Sequence, residues 1–268
     1  MRFTGGVRAF FAAATGIVIV FLYLPLSMIL LLSFNTATSL SFPPKGFTLK
    51  WWRRAADNHG ARDAFWNSVQ VAFWATLVAL VLGTLASLAV QRYRFFGRNT
   101  LSLMIVLPIA LPGIVTGIAL NAAFRQVGIP FGMLTLVIAH ATFCIVVLYN
   151  NSLARLRRMS PNLEEASADL GAGVFTTFRL VTFPMLRSSL LAGGLLAFGL
   201  SFDEIVVTTF TAGVREQTLP IWIFQNMFRP NQAPVVNVVA AVLVLSSIIP
   251  IWLAQRLSGS GETMTTAR

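Results

Sequence analysis

Ser160-Pro161-Asn162-Leu163-Glu164-Glu165-Ala166-Ser167-Ala168-Asp169-Leu170-Gly171-Ala172-Gly173, with Phe178-Arg179-Leu180-Val181-Thr182-Phe183-Pro184 just beyond, is a polar island in an apolar chain. Ser160 and Asn162 are residues that cap helix starts, and Pro161 suits a first turn. Asn162 and Glu165 stand at capping-box spacing. Leu163, Ala166 and Leu170 fall on one helical face. Glu164, Glu165 and Asp169 place negative charge near the positive end of the helix dipole. Gly171 is a natural stop because glycine takes the left-handed conformation without strain. A second short helix over 174–180, with Pro184 opening the next long helix, completes a polar helical hairpin at about 155–184. About 30 residues is long for a plain connection, and small side chains on a capped helix suit docking to another surface.

The rest of the chain is of a different kind. It has 268 residues, 56% hydrophobic and 11% charged, with a mean hydropathy of +0.75. A soluble domain carries about 25% charged residues, so this is an all-α membrane protein in expectation. The net charge of +11 then reads as cytoplasmic loops facing lipid headgroups, not as a nucleic-acid footprint. Cys144 stands alone inside an apolar run and reads as a small packing residue. His59, in a loop, and His140, in a membrane segment, are too isolated to give metal-ligand spacing. No His/Asp/Glu cluster stands beside an activated nucleophile, so neither catalysis nor a cofactor or metal site is expected.

Six stretches meet the requirement of about 20 apolar residues for a membrane crossing: 10–33, 65–90, 101–123, 133–153, 186–210 and 235–257. The first follows Arg2 and Arg8 and resembles a secretory signal, but the apolar run over 9–32 is longer than a signal core. It reads as an uncleaved first membrane helix. Lys45, Lys50, Arg53, Arg54, Arg62, Arg125, Arg215 and Arg229 fall on one side, and the other twelve of the 20 basic residues, including Arg2 and Arg268, on the opposite side. Arg92, Arg94, Arg155, Arg157 and Arg158 flank helices closely, where charge sets orientation most strongly. Both termini and the hairpin are therefore expected in the cytoplasm, with outer loops at about 34–63 and 212–234 and a single membrane domain over 1–268.

Within the spans, Pro108 and Pro112 predict a kinked third helix, and Gly113 and Gly117 allow close helix contact. Asp203 and Glu204 are the sharpest chemical signal there. An ionisable group in a bilayer costs roughly 2.5–3.5 kcal/mol on insertion scales and usually faces a cavity or a partner. Both remain open as a polar path for cationic cargo, as a pair satisfied by Arg or backbone groups, or as an exit of the chain into the outer interface. Trp222, Phe224 and Phe228, like Trp51 and Trp52 beside Arg53 and Arg54, fit either interfacial anchoring or contact with another protein.

Glu165-Ala166-Ser167, Gly171, Val181 and Phe183-Pro184 follow the Glu-Ala-Ala-x3-Gly-x9-Ile-x-Leu-Pro loop of ABC-importer permeases, with Ser167, Val181 and Phe183 as mild departures. On that loop the chain is similar, across nearly its whole length, to the permease subunits of binding-protein-dependent ABC importers. Ser33-Phe34-Asn35, Phe42-Pro43-Pro44-Lys45-Gly46-Phe47 and Ser201-Phe202-Asp203-Glu204-Ile205-Val206-Val207 make it resemble the spermidine/putrescine group within them. The resemblance implies a type I importer permease fold in a bacterial inner membrane. It implies a second permease, most simply a paralogue, two ATP-binding subunits and a periplasmic binding protein. The hairpin would sit in a cleft of one ATPase and turn the permease from inward- to outward-facing. Glu164, Glu165, Ala166, Ser167, Asp169, Gly171 and Pro184 would form this coupling loop, and Asp203 and Glu204 the translocation path. Lys45 and Lys50 lie in no Gly-x4-Gly-Lys pattern, so ATP and magnesium are expected on the partner ATPase. Alternatives are the same importer class with another solute (an organic cation, an aminophosphonate or an opine), or a channel or secondary transporter independent of ATP.

Overall fold

A computed structural model describes residues 5–38, 42–160, 162–229 and 231–259. Arg2 and Arg268 of the charge count and Pro161 of the hairpin lie outside these residues, as do 39–41 and 230 of the outer loops. In chain order the helices are α1 (Gly5–Leu32), α2 (Lys50–Ala56), α3 (His59–Arg92), α4 (Arg98–Ala110), α5 (Gly113–Val127) and α6 (Met133–Arg157). They continue as α7 (Asn162–Asp169), α8 (Val174–Thr177), a π turn (Phe178–Thr182), α9 (Phe183–Phe202), α10 (Val206–Thr211), α11 (Leu219–Asn226) and α12 (Ala233–Gly259). Among the described residues, five helical stretches are long and apolar enough to cross a membrane, or six if α4 and α5 form one broken span.

Three expectations are corrected. The third span is two helices, not one kinked helix, and α4 and α5 meet at 108°. Pro112 has no N–H to return to the Pro108 carbonyl, and it drives Leu111 into an extended conformation (ψ 147°). The fifth span ends at Phe202, and α10 begins only at Val206. It also starts earlier, because α8 runs through the π turn into α9 as one helical stretch, Val174–Phe202. Pro184 thus lies inside a continuing helix; the Phe183 N–H reaches back five residues to Phe178, a wider turn that accommodates the proline ring. Finally, His59 opens α3 instead of lying in a loop, because the Asn58 side chain accepts the Ala61 N–H at 2.9 Å as an N-cap.

Two compact units make up the described chain, one containing residues up to Arg62 with Trp222–Ser246, the other Asp63–Ile221 with residues from Ser247 on. In the first unit, Ser33-Phe34-Asn35 and Lys45-Gly46-Phe47 are brought together by a short antiparallel pairing. Thr36 N–H donates to Gly46 O at 3.0 Å, and Asn35 Oδ1 accepts the backbone N–H groups of Ala37 and Lys45. Trp51 is buried and donates to Asn35 O at 2.9 Å, while Trp52 stacks on Phe34. Trp222 is buried too, with its indole beside Gly60. These three tryptophans are therefore packing residues of this unit, whereas Phe224 and Phe228 remain exposed.

The second unit is built around α6, whose Leu136, Ala139, His140, Cys144, Leu148 and Ser152 are buried. Lipid tails are as apolar as leucine, so helices in a membrane associate through close packing, which small residues permit. Ala72, Ala75 and Ala79 of α3 are fully buried. A Cβ on Gly83 would lie 2.8 Å from Leu148 Cβ and 3.0 Å from Ile145 O, so α3 approaches α6 there at backbone distance. Gly113 and Gly117 likewise admit Val206 and Phe210 of α10 against α5.

Candidate functional site

The polar hairpin is α7, a glycine turn and α8. Asn162 lies within α7 and does not cap it from outside. Asp169 is the last, so its carboxylate meets the negative end of the dipole instead of the positive one. Gly171 performs as expected. With φ at 78° it returns its N–H to Ala168 O at 2.8 Å, and Ala172 N–H reaches Ser167 O at 3.1 Å. This pair of bonds closes a helix end around a left-handed residue. Ser167, at the position of the motif's second alanine, adds a side-chain tie across the turn, 2.9 Å to Thr177.

The adjacent glutamates have opposite surroundings. Glu164 turns inward and accepts from Arg92, at the end of α3, and from Thr182 Oγ1 at 2.7 Å. Arg92 also donates to Thr182 at 2.9 Å, and Thr182 is fully buried in the π turn. The three side chains close a triangle joining α3, α7 and the foot of α9. Nearby, Arg155 donates to Met185 O and Ser189 to Asn151 O, which fastens α6 to the same foot. Glu165 and Ala166 are exposed. Around them Leu163, Leu170, Val174 and Phe175 are exposed too, Leu170 at 89% and Val174 and Phe175 at more than 75%. The hairpin is thus fastened through Glu164 and exposes Leu163 and Leu170 around α7, with Val174 and Phe175 of α8 exposed toward the groove between α3 and α9.

An apolar groove of about 1290 Å³ lies between α3 and α9. Its lining includes Val174, Phe175 and Phe178 of the hairpin, Leu85 and Leu88 of α3, and Leu191, Leu195 and Phe198 of α9, with Arg92 and Arg187. The hairpin therefore forms one wall of this groove.

Asp203 and Glu204 lie not on a helix but in the break between α9 and α10. Asp203 is exposed among buried neighbours, Ser201, Phe202, Val207 and Thr208. Glu204 turns back along the chain, and its Oε1 accepts the Val207 N–H at 2.8 Å, satisfying a donor that α10 leaves free at its start. Among the open readings, Glu204 thus meets a backbone group, and Asp203 is the acid left exposed. Behind the break sits His140, with 2.8 Å contacts to Ser201 Oγ and Thr208 Oγ1. The roles of Arg92, Thr182 and His140 were not legible in the sequence: the first stood out only as a charge flanking a helix, the second had no signal of its own within the loop motif, and the third had no second ligand in range.

Residues 79–258 match the family described as binding-protein-dependent transport system inner membrane component. The chain is 33% identical over 243 residues to the spermidine/putrescine transport system permease protein PotC of Haemophilus influenzae, covering 90% of this chain and 93% of that one. It is 33% identical over 231 residues to the putrescine transport system permease protein PotI of Escherichia coli, with 84% and 82% covered. In fold it is similar to a bacterial ABC transporter involved in import of the acidic polysaccharide alginate, at a TM-score of 0.76 and 15% identity over 96% of this chain and 99% of that one. The fold is that of an ABC-importer permease. The chain belongs to the family of inner membrane components of binding-protein-dependent transport systems, and it is a transport subunit of the inner membrane.

Proposed function

We propose that this chain is half of the translocation path of a polyamine importer, driven through its hairpin by ATP hydrolysis on a separate subunit. The observation that carries the reading is the two-faced hairpin, tied inward by Glu164–Arg92–Thr182 and exposing Glu165 and a set of apolar side chains outward. With both termini and the hairpin in the cytoplasm, that outer face meets the ATPase, which holds ATP and magnesium. A binding protein delivers cargo on the other side, and a second permease completes the path. The stretch Val174–Phe202 is about 43 Å long at the rise of an α-helix. A push on α8 is delivered along it to Asp203. Asp203 supplies negative charge suited to a polyamine. The names of PotC and PotI support the choice of cargo.

The test is ATP hydrolysis by the assembly that co-purifies with the tagged chain, together with its binding protein, with and without spermidine and putrescine. Stimulation by a polyamine supports importer and cargo together. Stimulation by 2-aminoethylphosphonate or an opine instead discards the cargo, and absence of any co-purifying ATPase overturns the coupling reading.

A further inference from the structure

The buried imidazole of His140 is assigned no part by the hairpin or by the acids. It projects from α6 between two segments that a straight fifth span would make one helix. Its Nδ1 lies 2.8 Å from Ser201 Oγ, in the last turn of α9, and its Nε2 lies 2.8 Å from Thr208 Oγ1, in the first turn of α10. The Thr208 hydroxyl donates to Glu204 O at 3.0 Å, so its proton is spent. It can only accept from the ring, which places the ring proton on Nε2 and makes Nδ1 an acceptor for Ser201. Ring and hydroxyls are then satisfied in one neutral arrangement.

That arrangement is incompatible with an unbroken helix. Residues 201 and 208 are seven positions apart, and a continuous α-helix would separate them by about 10.5 Å along its axis. Two bonds of 2.8 Å and the width of one five-membered ring fall short of that span. The bridge therefore requires the chain to leave the helical path between the two hydroxyls, which it does at Asp203 (φ −97°, ψ 4°) and Ile205 (φ −119°, ψ −35°). We propose that His140 is a positioning residue for transport: by bridging Ser201 and Thr208 it holds the fifth span broken and keeps position 203 at the last rung of the α9 ladder, its N–H on Gly199 O and its side chain exposed, toward the cargo path. The proposal rests on the reading of Asp203 as a path residue.

Cys144 is the sole cysteine of the sequence, so a reporter thiol is straightforward to install. In the full importer in proteoliposomes, Cys144→Ala with Asp203→Cys is treated with a cationic methanethiosulfonate. The same variants carrying Val214→Cys, a fully exposed position away from the break, report on overall integrity. Modification at 203 is expected with His140 present. His140→Leu should slow it at least tenfold, and His140→Gln, which retains one acceptor and one donor, should restore it to within threefold, with the rate at 214 unchanged throughout. Where His140→Leu fails to assemble, Thr208→Val and Ser201→Ala each delete one arm and should slow modification at 203 at least threefold. Equal rates with and without the bridge overturn the positioning role while leaving Asp203 in the path. No modification at 203 even with His140 present overturns the path reading and the proposal with it.

Discussion

Replacing each of the two adjacent glutamates separates fastening from docking. Glu164→Ala removes the acceptor for both Arg92 and Thr182. A hydrogen bond to a charged group contributes about 1.5–3 kcal/mol. Here the Arg92 and Glu164 side chains are 22% and 26% exposed, and Arg92 and Thr182 keep their own bond. The net cost should therefore fall near 1–2 kcal/mol, about 5–30-fold in the balance between fastened and loose hairpin. Glu165 has none of these contacts and is exposed, so Glu165→Ala should stay within about 0.5 kcal/mol. The assay is the thermal midpoint of the assembled importer alongside cargo-stimulated ATP hydrolysis. Glu164→Ala should lower both, and Arg92→Ala combined with it should cost less than the sum of the two. Glu165→Lys should leave the midpoint of the permease unchanged and abolish co-purification of the ATPase. If Glu164→Ala and Glu165→Ala gave the same midpoint, or the Arg92/Glu164 cycle were additive, the triangle would not be what holds the hairpin.

Three further outcomes are expected. Gly83→Val should prevent correct packing of α3 on α6, because its Cβ would press on the Ile145 carbonyl and the Tyr149 N–H. The overpacking should cost about 1–3 kcal/mol and appear as loss of folded protein from the membrane fraction. Asn35→Ala deprives the Ala37 and Lys45 N–H groups of their shared acceptor, at about 1–3 kcal/mol for the unsatisfied donors; protease cleavage within 34–50 on membranes reads the loosening. Asp203→Asn should slow spermidine uptake several-fold while the ATPase still co-purifies; unchanged uptake would remove Asp203 from the cargo path.

Crossing segments were legible in the sequence because hydropathy and length alone define them, and Gly171 was legible because its conformation is local. The breaks were not. Apolar residues flank Leu111-Pro112, so hydropathy runs through the break unchanged, and a proline can kink a helix or end it depending on what packs against it. Between Phe202 and Val206 the sequence signal was two acids, which read as charges on a helix until the structure placed them off it. The choice between Glu164 and Glu165 was likewise hidden. Neighbours on a helix point about 100° apart, and which one faces inward depends on Arg92, 72 positions earlier in sequence. Trp51 and Trp222 illustrate the same limit, since an aromatic in a loop between spans has the composition of an interfacial anchor whether or not a core closes over it.

The departures from regular helix in the stretch from α8 to α10 share one physical logic. Inside a bilayer, backbone groups released from the i to i+4 pattern must find partners in the protein; here side chains tie each irregularity, through side-chain contacts at the π turn and at His140 and through backbone contacts at Val207, Phe210 and Thr211. The π turn is held by Arg92 of α3 and Glu164 of α7 through Thr182. The break at Asp203 is held by His140 of α6 through Ser201 and Thr208, with Glu204 accepting the freed Val207 N–H. The end of α10 is held by Asn121 of α5 on Phe210 O and by Thr135 of α6 on Thr211 O. Between these points α9 is regular and stiff. A displacement of the hairpin therefore cannot dissipate by unwinding the span; it must move α9 as a unit or exchange the polar contacts at its ends. Those contacts, not the apolar core, are where the energetic difference between two states of this permease is expected to reside.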